Sequence, residues 1–323
     1  MNDIVAISVT YNDAEYLKTC VQALLKQTVK VSHIIIVDNN SNQSNKSIIR
    51  ELECPKVDIL NLPSNLGGAG GFQKGMEFAR DHYDPDWYWL MDADAYPRED
   101  CLENLMSAKD KCDNIGFLAP LIYGVDLQQY QLYHIKKLAR YLERDLPVYS
   151  SYEEIPEISE IEADAFVGPL FSKQAVEQLG VADGSMFIYG DDLEYTYRVS
   201  RKFNCYLVKD AIINHRDQPA ANGVQQPKNW WKDYYMYRNR FLIINEFQKN
   251  KIKKIMGTIL TKARVEKQKI IAFYTIKDKT VRNIRIDLLH QAVLDGKYNK
   301  RGKIIDPSAF ISKINAALDH GEN

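Results

Sequence analysis

Two aspartates one residue apart, Asp92 and Asp94, close the apolar run Trp87-Tyr88-Trp89-Leu90-Met91. Carboxylates at that spacing can share a hard divalent cation, Mn²⁺ or Mg²⁺, whose open positions suit the oxygens of a diphosphate. Such a cation neutralises charge building on a departing diphosphate and so lowers the barrier to bond cleavage. A polar turn broken at Pro97 is the plain alternative, and an isolated Asp-x-Asp usually is one. The long apolar strand before it brings the two readings level.

Four further clusters could do chemistry. In Asp38-Asn39-Asn40-Ser41, again after an apolar run, a carboxylate can accept hydrogen bonds from a ribose hydroxyl or a base N–H. The same residues also make an ordinary Asx-rich turn. Asn65-Leu66-Gly67-Gly68-Ala69-Gly70-Gly71-Phe72 lets backbone approach a ligand at a helix start. It lacks the third glycine of a dinucleotide fingerprint, since Gln73 stands there, and has no phosphate-loop lysine followed by Ser or Thr. In the segment from Tyr189 to Arg198, Asp191 with Glu194 reads as a capping box, and Glu194 with Arg198 as a helical ion pair. One of its aspartates could instead take the proton of an acceptor hydroxyl. His215 follows Ile212-Ile213-Asn214 and is either a structural hydrogen bonder or a third metal ligand.

These residues sit where strands should end. Ile4 to Val9 and His33 to Val37 are β-branched runs, Val57 to Leu60 a third, and Trp87 to Met91 a fourth. Helical spacing appears between them, at Leu17 to Leu25, Asn45 to Leu52 and Gln73 to Asp81. Strand and helix in alternation predict an α/β fold with a doubly wound, mostly parallel sheet flanked by helices, in which ligands bind beyond the carboxyl ends of the strands. Further strands are expected at Ala165 to Val167 and Asn204 to Val208, with looser structure from Tyr123 to Glu160. The composition shifts near residue 225. A nucleotide-binding domain over 1–225 and a helical, basic region over 226–323 are expected, with one helix from Trp230 to Asn245.

A net charge of -1 in 323 residues argues against a nucleic-acid partner. Five scattered cysteines without paired spacing fit a reducing compartment and exclude a zinc framework. The first residues lack the pattern of a signal peptide, and no apolar run approaches the ~20 residues of a membrane span. The chain is expected to be cytoplasmic.

Ser8-Val9-Thr10-Tyr11-Asn12, the Val37-to-Ser41 turn and Asp92-Ala93-Asp94 together resemble glycosyltransferase family 2, the GT-A nucleotide-sugar transferases, from residue 3 to about 220. Within that family, Asn65 to Phe72 and the pattern Asp191, Asp192, Glu194, Arg198 look most like bacterial galactofuranosyltransferases. The resemblance implies a Rossmann-like GT-A fold and transfer of a sugar, galactofuranose from a UDP donor first, onto a glycan or polyprenyl-linked acceptor in cell-surface polysaccharide synthesis. It implies Asp192 as general base, Asp191 at the acceptor, and Asp92, Asp94 and His215 around Mn²⁺ or Mg²⁺. It implies Thr10, Asn12 and Asp38 around the uridine, with Tyr11, Asn40, Asn65, Gly67, Gly68, Asp92, Ala93, Glu194 and Arg198 as further substrate contacts. Rhamnosyltransferases share the opening, so a dTDP-rhamnose donor is the alternative.

Other classes fit less well. A nucleotidyltransferase needs a basic residue in an early Gly-rich loop, and Tyr11-Asn12-Asp13 is not basic. A non-catalytic nucleotide-sugar binder has no use for Asp191-Asp192 beside a metal. The lysine- and arginine-rich stretch from Lys249 to Arg285 could lie on an anionic membrane at the inner face of the plasma membrane. It could equally be a solvated helix packing its apolar side on the protein. A homo-oligomer is left open.

Overall fold

The computed structural model describes residues 2–216 and 226–319, grouped in two compact units. The first holds the residues up to Lys137, Pro147–Gly184 and Asp192–Gln218; the second holds Leu138–Leu146, Ser185–Asp191 and the chain from Pro219. The boundary expected near residue 225 lies outside the described residues.

In the first unit the chain runs β1 (Ile4–Thr10), α1 (Ala14–Leu25), β2 (His33–Asp38), α2 (Gln43–Arg50), β3 (Val57–Asn61), α3 (Gly67–His82) and β4 (Trp87–Asp92). After β4 come β5 (Ala95–Pro97), α4 (Cys101–Lys109), β6 (Ile115–Gly124) and β7 (Gln129–Tyr130). A small hairpin follows, β8 (Lys136–Leu138) with β9 (Asp145–Pro147), most of which belongs to the second unit, and then β10 (Ile158–Glu160), β11 (Val167–Ser172), α5 (Lys173–Leu179), α6 (Asp191–Ser200, its first residue in the second unit) and β12 (Asn204–His215). The main sheet has the order β10-β12-β6-β11-β4-β1-β2-β3, with β5 on β12 and β7 on β6. β1 is parallel to β2 and β4, β2 to β3, and β12 to β6, while β11 is antiparallel to β4 and β6. The sheet is therefore mixed and mostly parallel, flanked by helices, as expected.

Strand side chains alternate between faces, and this sorts β1 into two cores. Ile4 and Ala6 pack with Ile34, Trp89, Leu17 and Leu105 on one side. Val5 and Ile7 pack with Ile35, Leu90, Phe72 and Met76 on the other. Burying one such aliphatic side chain contributes roughly 1.5–3 kcal/mol. A one-residue slip would exchange the two sets, so both cores specify the register.

Three elements differ from expectation. α3 begins at Gly67, inside the glycine-rich segment rather than after it. A Cβ on Gly71 would lie 2.4 Å from Val9 Cγ1, and one on Gly75 2.5 Å from Ile7 Cγ2. Those glycines bring the helix down onto β1, so their smallness serves packing. β11 starts at Val167, because Gly168 and Pro169 form a bulge where its register on β4 shifts. Trp89 Nε1 donates to Gly168 O at 2.8 Å across it. β12 continues past Val208 to His215 through an irregularity opposite β6 that takes up the polar Lys209-Asp210.

The second unit contains α7 (Trp230–Phe247), α8 (Lys251–Thr275), α9 (Lys279–Lys297) and α10 (Pro307–Asp319). Asn250 and Asp278 cap α8 and α9, accepting from Lys253 N at 3.0 Å and Val281 N at 2.7 Å, which divides the basic stretch between two helices. Gly296 of α9 lets it cross α7 closely, since a Cβ there would meet Phe241 Cβ at 2.7 Å. Trp230, Tyr234, Leu288 and Phe310 form its core.

Candidate active site

β4 delivers Asp92, and the turn after it delivers Asp94 and leads straight into β5. β5 pairs with the end of β12 in the register His215↔Ala95, Asn214↔Tyr96. That ladder sets the histidine beside the aspartates despite the long sequence separation. One ligand atom from each of Asp92, Asp94 and His215 lies within 4.8 Å of the others. His215 Nε2 is 3.4 Å from Asp94 Oδ1. Ligand atoms on an octahedral ion with bonds of about 2.1 Å stand about 3 to 4.2 Å apart. Two carboxylates and an imidazole at these separations fit a divalent cation.

The histidine is presented for that role. Its Nδ1 lies 3.0 Å from Gln131 Oε1, an acceptor, so Nδ1–H donates there and Nε2 is the ring atom turned toward Asp94. The same amide oxygen accepts from His134 Nε2 at 3.2 Å. Burial, followed by Lys136 and His215, holds the His134 ring well below the usual histidine range, so it is neutral. Gln131 is buried, and Gly124 makes room for it: a Cβ there would fall 2.6 Å from Gln131 Nε2.

Charge is crowded here. Burial, then Asp94, push the Asp92 carboxyl up to about 7, with Asp192 and Asp13 adding to the shift and His215 opposing it. Asp13, just before α1, is itself raised by burial and by Asp94. Four carboxylates feel one another around a single imidazole, a balance that a bound cation corrects.

The second corner lies where β1 and β2 end side by side, Thr10 opposite Asp38. Both residues are buried, and Thr10 Oγ1 and Asp38 Oδ2 have no hydrogen-bond partner among the described residues. Asp38 Oδ1 accepts from Ser41 N at 2.8 Å. Buried polar atoms normally find partners, so these two atoms are open to one that the described residues do not provide. Asn12 and Asn40 both adopt φ 63°, a left-handed conformation asparagine tolerates. Asn12 Oδ1 accepts from Asn42 N at 2.8 Å, and Asn40 Oδ1 from Lys46 at 3.1 Å. Tyr11 is exposed beside them. Asn65 Oδ1 accepts from Gly67 N at 2.8 Å where Gly67 takes φ 74°. Gly68 has nothing within 4 Å of the place a Cβ would occupy, so the open glycine is this one. Ala93 is buried between the two aspartates.

α6 opens with Asp191 and Asp192. Asp191 is buried; Asp192 is partly exposed, with Oδ1 accepting from Leu193 N at 2.7 Å. Glu194 and Arg198 hold each other in two hydrogen bonds of 2.7 and 3.0 Å, and Arg198 also donates to the carbonyls of Leu179 and Val181. That ties α6 to the end of α5. Thr196, one turn on from Asp192, donates to Asp192 O at 2.6 Å and to Asp164 O at 3.2 Å. Asp164, which sequence reasoning missed, is buried and raised well above the carboxylate range, by burial first and also by Asp192.

In the second unit, α7 anchors the loop that leads into Asp191. Arg238 is fully buried and donates to Met186 O, Lys300 O and Gly302 O at 2.9 to 3.1 Å. Asn239 Nδ2 reaches the carbonyls of Met186, Ile188 and Tyr189 at 3.0, 2.9 and 2.6 Å. Gly190, at φ 86°, completes the turn.

The sequence profile of the family described as Glycosyl transferase family 2 matches residues 5–180. The chain belongs to this family. It is similar to galactofuranosyltransferase GlfT1 of Mycolicibacterium smegmatis, with 27% identity over 254 residues, 75% of this chain and 83% of the relative. The low-salt glycan biosynthesis hexosyltransferase Agl10 of Haloferax volcanii is 25% identical over 270 residues, 81% of each chain. Among solved structures, mannosyltransferase PcManGT from Pyrobaculum calidifontis, in complex with GDP-Man and Mn²⁺, superposes with a TM-score of 0.55. Its identity is 14%, over 93% of this chain and 90% of that one. The family-2 chain is thus a glycosyltransferase with the GT-A fold, and the non-catalytic reading falls away.

Proposed function

We propose that this glycosyltransferase inverts the anomeric centre and depends on a divalent cation, moving galactofuranose from UDP-galactofuranose onto a hydroxyl of a glycan or lipid-linked acceptor. The observation that carries the reading is the meeting of Asp92, Asp94 and His215 next to the paired ends of β1 and β4. The donor choice rests on the similarity to GlfT1.

In this reading Thr10 Oγ1 and Asp38 Oδ2 bind the uridine, forming base and ribose hydrogen bonds that the described residues do not supply. Tyr11, Asn12, Asn40, Asn65, Gly67 and Gly68 form the surrounding wall. Asp92, Asp94 and His215 hold Mn²⁺ or Mg²⁺, which when bound supplies positive charge to the leaving diphosphate. Asp191 lies at the acceptor. Asp192 takes the acceptor proton on the oxygen that Leu193 N does not occupy. As that proton leaves, the acceptor oxygen bonds to the anomeric carbon from the face opposite the diphosphate, and the sugar–phosphate bond breaks. Glu194 and Arg198 act through α6, by holding Asp192 in place.

General-base removal typically lowers turnover by about 10²- to 10⁴-fold. Asp192→Asn, assayed for UDP released from UDP-galactofuranose with acceptor, should show a loss of that size while UDP binding stays as in the native enzyme. Turnover within about threefold of native would remove Asp192 from the base role.

A further inference from the structure

α8 has its large and small residues the wrong way round for a helix packed on a soluble protein. Its buried positions are Gly257, Thr261, Val265 and Ala272. Gly257 is required by the contact, since a Cβ there would lie 2.3 Å from Tyr141 O. The opposite side carries Ile252, Ile255, Met256 and Ile259, all exposed, with Ile252 at 74%. About five turns further on, at the same angles around the axis, come Ile270, Phe273 and Tyr274, the last at 80% exposure. The apolar residues thus form two patches on one side of Lys251–Thr275, pointing away from the buried face, with Ala263 and Glu266 at the same angles between them.

Charge borders these patches on both sides. At about 100° per residue, Lys251, Lys262 and Lys269 fall along one margin and Lys253, Arg264 and Lys267 along the other. Glu266, the single acid of α8, is paired with Lys269 at 3.0 Å. Lys251, Lys253, Lys262 and Lys267 make no ion pair among the described residues. An apolar side with cations at its two margins and aromatic rings at one end is the pattern of a helix lying in the plane of a membrane surface, apolar face down and ammonium groups level with the phosphates. The helix is not a span: no described helix is long and apolar enough to cross a membrane.

We propose that α8 docks this protein flat on an anionic lipid bilayer, with Ile252, Ile255, Met256, Ile259, Ile270 and Phe273 entering the interface. Anionic lipid is the occupant because Lys251, Lys253, Lys262 and Lys267 make no ion pair among the described residues, while the one acid, Glu266, is already paired with Lys269. A second copy of the same side would bring those lysines into repulsion.

The test is flotation of the full chain with vesicles of phosphatidylcholine alone and of phosphatidylcholine mixed with phosphatidylglycerol. Native protein should float with the anionic vesicles, and 0.5 M salt, an order-of-magnitude choice well above the screening range, should release most of it. Ile255→Asp with Ile259→Asp should weaken partitioning at least about 100-fold, because two buried isoleucines are lost. Lys262→Gln with Lys267→Gln should weaken it about 30-fold. All four positions are exposed or face solvent, so thermal unfolding should be unchanged. If the aspartate pair nevertheless fails to fold, the glutamine pair carries the test. The proposal is overturned by native protein that ignores anionic vesicles, or by partitioning that neither pair of substitutions weakens. It is also overturned by a concentration-dependent dimer in sedimentation equilibrium that the aspartate pair abolishes, which would assign the patches to a second copy.

Discussion

The two polar corners of the first unit are built in opposite ways. At the ends of β1 and β2, Thr10 and Asp38 come from adjacent parallel strands, each with an oxygen that no described residue satisfies. At the junction of β4, β5 and β12, Asp92 and Asp94 meet His215 through an antiparallel ladder, and carboxylates crowd until burial and mutual repulsion raise Asp92. The first corner leaves two polar atoms without partners among the described residues, and the second crowds negative charge. In the proposed reading a nucleotide would meet the former and a divalent cation the latter, as one ligand, a metal-bound nucleoside diphosphate.

Substitutions can break that contrast. The largest expected effect is at the charged corner. Gln131→Ala removes the acceptor that fixes His215 with Nε2 outward, and loss of such a partner costs about 10- to 100-fold in metal affinity. Calorimetric titration with Mn²⁺ alone checks it. The Gln131→Glu variant, which keeps the acceptor, should restore most of the loss. If alanine bound Mn²⁺ as tightly as native, the orienting role would be gone.

At the neutral corner, Thr10→Val keeps the shape but deletes an orphaned hydroxyl. UDP affinity should fall about tenfold, the scale of one buried hydrogen bond, while metal binding stays constant. A parallel fall in Mn²⁺ affinity would mean that the corners are not separable.

The smallest effect is a change of slope. Asp164 is raised in the folded state, so the native protein holds a proton that the unfolded chain releases above about pH 3.9. Its contribution is fully present below that pH and is lost as pH rises toward the raised value. Asp164→Asn should therefore flatten the decline of stability with pH from about 4 upward, as followed by urea unfolding. An unchanged slope would place the charge response elsewhere.

How much of this could be read from sequence follows the same division. β1, β2 and β4 are unmistakable as buried runs, and Asp38, Asp92 and Asp94 are visible because each ends one. The start of α3 is hidden in the sequence because glycines usually break helices, whereas Gly71 and Gly75 let this helix settle on Val9 and Ile7. His215 stood out as a histidine after a strand, but only the β5–β12 register says what it faces. Gln131 and Gly124 gave no usable signal: an amide and a small residue after β6 acquire meaning only when His215 arrives from 84 residues away. Arg238 and Asn239 looked like part of an aromatic helix, and their work on the carbonyls of Met186 to Tyr189 is purely tertiary. Asp13 and Asp164 are carboxylates with no motif around them, picked out by burial alone.

The central claim is that metal and nucleotide share one site. Its most direct test is calorimetric titration of UDP into native protein and into Asp94→Ala, each with and without Mn²⁺, with dTDP as comparator. The account predicts that Mn²⁺ strengthens UDP binding to the native protein, that dTDP binds more weakly, and that Asp94→Ala responds to UDP as native does without metal. UDP binding that is indifferent to Mn²⁺ in both proteins would contradict it.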